Sequence, residues 1–234
     1  MATINLSGEL IVDDWAEIYR HWGFTAGFYC PGDVRAVIDT LQPGEELVLE
    51  INSVGGHVDA AAEIYSVIEK LKNPTKAEIQ SLAASAASYF PLACDRVEIA
   101  LPAQMMIHCA SWNVGGNKHD HQWTAQQLDT MDQSILDTYC RKCGDKTDRA
   151  ELERLMDEET YLSARQCLEM GLVDAIIGDV SNSGTAQAMV ASIHNNTVRA
   201  MRTLPDIQIL KDRMEQQRDE LSRELAAEMA RYAM

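Results

Sequence analysis

Three places along the 234-residue chain carry residue types that can do covalent chemistry. The first is Gly55-Gly56, between an apolar run and a helical pattern. Adjacent glycines let a backbone approach a ligand closely and turn its N–H groups outward. A plain tight turn accounts for the pair as well. The second is Ser85 within Ala83-Ala84-Ser85-Ala86-Ala87. A serine among alanines at a helix start has an unobstructed hydroxyl beside free backbone N–H groups, which suits a nucleophile and its oxyanion. Serine in a small-residue helix is more often only packing, and Ser81 and Ser88 compete for the role. The third is His108, at the end of an apolar strand, since imidazole takes a proton from serine near neutral pH. A lone strand-end histidine is more often structural. His57, His119 and His121 are the alternatives, the last two in a polar loop.

Other chemistries find little support. No G-x-G-x-x-G or G-K-[ST] is present, which argues against a nucleotide loop. Cys140-x-x-Cys143 lacks the second half of a zinc site, and the eleven methionines read as core filler. Neither a cofactor nor a metal is expected. Hydrophobic residues make up 46% and charged residues 24%, an ordinary globular composition. Twenty Lys and Arg against 36 Asp and Glu leave a net charge of −16. From Asn195 onward seven basic residues balance seven acidic ones, so the excess lies before that point. An acidic chain without a basic cluster binds nucleic acid poorly. No apolar run reaches the ~18 residues of a membrane helix. Met1-Ala2-Thr3-Ile4-Asn5 lacks a secretory pattern. A cytoplasmic setting is therefore expected, with Cys30, Cys94, Cys109, Cys140, Cys143 and Cys167 as thiols.

The residues of interest need elements to hold them. Glu46–Ile51 reads as a strand running into Asn52-Ser53-Val54-Gly55-Gly56. Ala60, Ile64, Tyr65, Ile68 and Leu71 then follow a helical period, stopped by Asn73-Pro74. Ala77–Gln80 is a short strand, and Ser81–Cys94 reads as a tightly packed small-residue helix. Arg96–Ala100 and Met105–His108 are two further strands separated by Leu101-Pro102. A loop over Asn113–Lys118 leads to a long helix over Gln122–Cys143, ended by Gly144, and a shorter one over Asp148–Met156. Ser163 and Gln166 fit a capping box, and Gly171 fits a left-handed helix end. Strand–helix alternation predicts an α/β domain with crossover connections over 1–177. A linker over 178–203, rich in Gly, Ser, Asn and Ala as far as Asn196, precedes an amphipathic helix over 204–234. Ile207, Leu210, Met214, Leu221, Leu225 and Met229 form its apolar stripe, suited to a short coiled coil or to docking on its own domain.

Taken in order, Ile51-Asn52-Ser53-Val54-Gly55-Gly56, Ala83-Ala84-Ser85-Ala86, Leu101 through His108, and Tyr161-Leu162-Ser163-Ala164 through Gly171-Leu172-Val173-Asp174 resemble the ClpP family of serine proteases. The resemblance spans Ile4 to Ile177. It is closest to the ClpP-like head-maturation proteases of tailed phages, through Glu159-Thr160-Tyr161-Leu162 and an extended C-terminal region. It implies a ClpP/crotonase-type spiral of strand–helix units. It also implies a serine endopeptidase with Ser85 as nucleophile, His108 as base, and Gly56 and Ala86 N–H groups as oxyanion hole. Glu159 falls on the position of the third triad member, where ClpP itself has Asp; Asp157 and Glu158 stay open as alternatives. Val54 replaces the family's usual Pro. The family's homo-oligomeric rings, often heptameric and doubled, are implied too, with the helix over Gln122–Cys143 at the ring–ring contact. Scaffold or capsid proteins are the substrates so implied. With nothing before Ile4 to engage an ATPase, no unfoldase partner is expected. A crotonase-like acyl-thioester enzyme, which uses carboxylates in place of Ser and His, is one rival. A catalytically inactive assembly component is the other.

Overall fold

The computed structural model describes residues 1–179. The amphipathic helix expected over 204–234, and the linker beyond Asp179, lie outside the described residues. Strand β1 (Ala2–Leu10) buries Ile4, Leu6 and Leu10 on one face, following the two-residue period of an extended chain. Strand β3 (Leu47–Gly56) instead buries Leu47, Val48, Leu49 and Ile51, the near-continuous pattern of a parallel strand covered on both faces. Between them lie α1 (Asp13–His21), the two-residue β2 (Phe28–Tyr29) and α2 (Pro31–Ile38), where Pro31 opens the helix at a place needing no N–H. Helix α3 (Val58–Glu69) buries Ala60, Ala61, Ile64 and Ile68.

Strand β4 (Thr75–Ala84) is followed by the one-turn helix α4 (Ala86–Tyr89), a 3-10 turn over Phe90–Ala93, and strands β5 (Arg96–Ala100) and β6 (Gln104–Ile107). Then come α5 (Lys118–Cys143), α6 (Arg149–Asp157), β7 (Thr160–Ser163), α7 (Ala164–Met170) and β8 (Ala175–Ile177). The main row of the sheet runs β2-β1-β3-β4-β5-β8, and every pairing in it is parallel. Strand β4 holds two further neighbours in succession: Lys76–Ile79 pair with β5, and Leu82–Ala84 pair with β6. Strand β7 then lies antiparallel on β6. The α/β architecture with parallel crossovers is thus the one the alternation predicts.

Two boundaries differ from the sequence expectation. Ser81–Cys94 is not one helix. Its first two alanines, Ala83 and Ala84, continue β4 and are buried there, while Ala86 and Ala87 form a single helical turn and a 3-10 segment finishes the stretch. Alanine's helix propensity yields here to its small size, which lets strands approach closely. Helix α5 starts at Lys118 rather than Gln122. Asn117 caps it by accepting the His119 N–H at 2.8 Å, and Asp120 accepts the Asn117 N–H at 2.8 Å. The Ser163–Gln166 capping box forms, and Gly171 adopts a left-handed φ of 85°.

A bulge interrupts the β1–β3 ladder between Gly8 and Glu9, and Gly8 has φ +95°. A Cβ there would lie 2.2 Å from the Gly27 carbonyl oxygen, whereas Gly44, with φ +79°, has nothing within 4 Å. Gly44→Ala therefore costs only left-handed strain, about 1 kcal/mol. Gly8→Ala adds a backbone clash and should lose about 3 kcal/mol or more in urea unfolding. Equal losses for the two variants would remove the close approach as the reason for Gly8.

Candidate active site

The site is set by the ladder between β4 and β6. Ala84 pairs with Met106, and the Ser85 N–H donates to the Met106 carbonyl at 2.9 Å. Ser85 therefore leaves β4 as His108 leaves β6. The His108 Nε2 lies 2.7 Å from the Ser85 Oγ. Ser85 sits at φ 55°, ψ −129°, between strand and helix. Such a sharp strand-to-helix turn presents a serine hydroxyl at the edge of a sheet, at a backbone cost of about 1–3 kcal/mol. Two buried groups hold the turn. Ser88 Oγ donates to the Ser85 carbonyl, and the Tyr139 hydroxyl on α5 donates to Ser88 Oγ at 2.6 Å. Burial pushes the Tyr139 hydroxyl up, so it stays a donor.

The same geometry sorts the competing candidates. Ser88 is fully buried and committed to that chain of hydrogen bonds. Ser81 is exposed on β4. His119 and His121 lie exposed in the first turns of α5, and His57 precedes α3 with its Nδ1 3.8 Å from Asp59. Gly55-Gly56 is more than a tight turn. A Cβ on Gly55 would lie 2.7 Å from the Ser85 Cβ and 2.9 Å from the Ala86 nitrogen, so only glycine lets β3 pass the serine. The His57 N–H donates to the Leu10 carbonyl on β1, and strand alternation turns the preceding Gly56 N–H the other way. Ala86 is the first residue of α4, whose N–H has no partner within the helix.

Carboxylates surround the segment His108–Ala110. The β6–β7 ladder ends at the Thr160–Ile107 pair, and Glu159 and His108 are the residues next beyond it on the two segments. Glu159 has φ +50°, and among the described residues it and Ser85 are the non-glycine residues with positive φ. The Glu159 carboxylate makes no hydrogen bond to His108 in this conformation. Glu158 is ion-paired with Arg154. Asp157 accepts the Cys109 thiol at 3.4 Å. Asp132, on α5, accepts the Ala110 N–H at 2.6 Å and interacts electrostatically with His108. Nothing in the sequence around Asp132 or Tyr139 marks them. Both reach the site only because α5 packs there. Among the described residues no group of three or more His, Cys, Asp or Glu is gathered for a metal, and Cys140 and Cys143 are free thiols.

A family model described as Clp protease matches residues 36–180. The ATP-dependent Clp protease proteolytic subunit 1 of Chlamydia muridarum is 31% identical over 144 residues, covering 60% of this chain and 74% of that protein. The protein of the same name from Chlamydia trachomatis is 31% identical over the same length, and that from Chlamydia abortus 29%.

Cys109 gives the electrostatics of this corner a direct reading. Burial, then the charges of Asp132 and Asp157, push its thiol up to about 12. The thiolate is the reactive form, so alkylation by iodoacetamide should be slow at pH 8 and still rising above pH 10. Asp132→Asn removes one negative charge, lowers the thiol pKa and should speed the reaction. A rate that levels off near pH 9, as for an ordinary thiol, would contradict this.

Proposed function

Because the chain belongs to the Clp protease family and holds a serine hydroxyl against an imidazole, we propose that it is a serine endopeptidase acting through Ser85, His108 and Glu159. The Ser85–His108 hydrogen bond of 2.7 Å carries this reading. In the first step the Ser85 oxygen attacks a peptide carbonyl while His108 Nε2 takes its proton. The tetrahedral oxyanion is held by the N–H groups of Gly56 and Ala86. His108 then gives the proton to the departing amine. Water, deprotonated by the same nitrogen, releases the acyl group and restores Ser85. For Nε2 to accept, Nδ1 must carry the ring proton, which an acid on its far side fixes.

Glu159 is the acid of this scheme. Its position just beyond the Thr160–Ile107 pair, where His108 also lies, supports it, as does the left-handed backbone it keeps without being glycine. Such strain at a non-glycine residue clusters at functional sites. Arg154 occupies Glu158, and Cys109 occupies Asp157.

The finer reading is a phage head-maturation protease, assembled as a homo-oligomeric ring, that cleaves scaffold or capsid proteins without an ATPase. The segment Glu159-Thr160-Tyr161-Leu162 supports it. The relatives are named as ATP-dependent subunits, and their dependence is a property of those proteins. Among the described residues no helix is long and apolar enough to cross a membrane.

Treatment with a fluorophosphonate, read by intact mass, should add one adduct to the wild type and to Ser81→Ala, and none to Ser85→Ala. An unlabelled, assembled wild type would sink the active-protease reading. Glu159→Gln should lower kcat/KM for peptide cleavage about 10²–10⁴-fold. Glu159→Gly should do the same while raising stability by up to about 1 kcal/mol, because glycine relieves the left-handed strain. Full activity in both variants would move the role of acid to another residue.

A further inference from the structure

A cleft of about 640 Å³ opens at the carboxyl ends of β1 and β3, bordered by Gly56. Open α/β sheets hold ligands outside the carboxyl ends of their strands. Gly56 lines this cleft and supplies an oxyanion N–H in the proposed mechanism, and its neighbour Gly55 lies against Ser85, so the cleft borders the proposed site.

Two kinds of group face it. Trp15, Tyr19 and Trp112 supply aromatic surface, and the two indoles are about half exposed, 50% and 51%. Trp15 meets Tyr19 edge-on with centroids 6.1 Å apart, while Trp112 leans on Trp123 at 6.2 Å. Glu9 and Asp59 supply carboxylates. Glu9 is exposed on the bulged end of β1, opposite Gly55. Asp59 lies in the first turn of α3, 78% exposed, with the His57 Nδ1 3.8 Å away. No lysine or arginine lines the cleft, and neither carboxylate is paired with one among the described residues. Elsewhere on the surface Asp33 and Glu63 do have such partners, in Arg20 and Arg35.

We propose that this cleft is a subsite for a lysine or arginine side chain of the peptide substrate, beside the scissile bond. The inference rests on the serine-peptidase reading and adds the substrate class to it. A cation stacks on an indole face and pairs with a carboxylate at once, and an apolar side chain would gain only the first surface while drying the second. An acidic side chain is repelled by both carboxylates, which makes the preference a difference between partners as well as an attraction. The aliphatic stem of lysine or arginine lies along the tryptophans while its charge stays near water.

Internally quenched peptides with Lys, Arg, Leu, Phe or Glu at each position from three before to three after the cut test this. One flanking position should favour Lys or Arg over Leu about tenfold in kcat/KM. Glu9→Gln with Asp59→Asn should collapse that ratio, and Asp59→Lys should reverse it toward Glu. The same peptides, titrated by fluorescence anisotropy against Ser85→Ala, should show the basic preference in Kd without cleavage. An enzyme that takes the fluorophosphonate yet favours Leu or Phe at every position, or keeps its ratio in the double variant, overturns the subsite while leaving the peptidase reading intact. A wild type that takes no label fails the peptidase reading, and the anisotropy ratio then still decides whether the cleft selects cations. Equal binding of the Lys and Leu peptides overturns it there.

Discussion

Three residues of β4 lying against three of β6 determine whether this chain has a site at all. Leu82, Ala83 and Ala84 pair with Gln104, Met105 and Met106, and the next N–H along, that of Ser85, continues the ladder onto Met106. A slip of one residue would move the serine by about 3.3 Å along the strand and turn its side chain to the other face. The 2.7 Å contact with His108 would then be lost. What prevents the slip is burial. Ala83, Ala84, Met105 and Ile107 are all inside, and β7 closes the other edge of β6 with Leu162. Both faces of the pair are filled, so a slip would have to exchange small alanines and large side chains between close-packed positions.

The ladder delivers Ser85 at a cost, and the surroundings carry it. Left-handed backbone at a residue with a Cβ is unfavourable by about 1–3 kcal/mol. Ser88 and Tyr139 offset that with a buried chain of hydrogen bonds ending on the Ser85 carbonyl. Such a chain is all-or-none, because losing one member strands the others without partners. Gly55 contributes by absence, since any side chain there would push on the turn. Glu159 repeats the positive φ at a residue with a Cβ. It follows α6 in a left-handed conformation, with its N–H on the Met156 carbonyl at 3.1 Å. The two strained residues are thus held by different helices, Ser85 through Tyr139 on α5 and Glu159 through Met156 on α6.

This distribution explains what could be read from the sequence. Strands such as Arg96–Ala100 and the helix carrying Ile64 and Ile68 announce themselves because their periodicity is local. Gly55-Gly56, Ser85 and His108 announce their chemistry by type, and the family resemblance gives them an order. Their meeting cannot be read from spacing, because β6 has to cross back to β4 first. The alanines around Ser85 mislead for a related reason. Their local preference is helical, which Ala86 and Ala87 follow, and burial between neighbouring strands overrides it for Ala83 and Ala84. Asp132 and Tyr139 are hidden more deeply, on an α5 whose polar sequence gives no sign of which turn packs on the site. The start of α5 was written more openly, in the cap formed by Asn117 and Asp120. The cleft is the extreme case. Glu9, Trp15, Asp59 and Trp112 come from separate segments, and only the fold makes them neighbours.

One field, finally, acts on two nucleophiles. Cys109 lies next to the base and is intrinsically the better nucleophile of the two, yet it is the serine that the geometry pairs with imidazole. The carboxylates of Asp132 and Asp157, together with burial, push the Cys109 thiol up to about 12 and keep it protonated. Asp132 also interacts electrostatically with His108, and on the proposed mechanism its negative charge attracts the positive charge that His108 acquires when it takes the serine proton. Serine needs no free anion before attack, because its proton leaves as the bond forms. A thiolate would have to exist beforehand, in a corner that repels it. Acidic surroundings that would disable a cysteine enzyme are therefore compatible with a serine one, and they suppress the rival residue at no loss to the base.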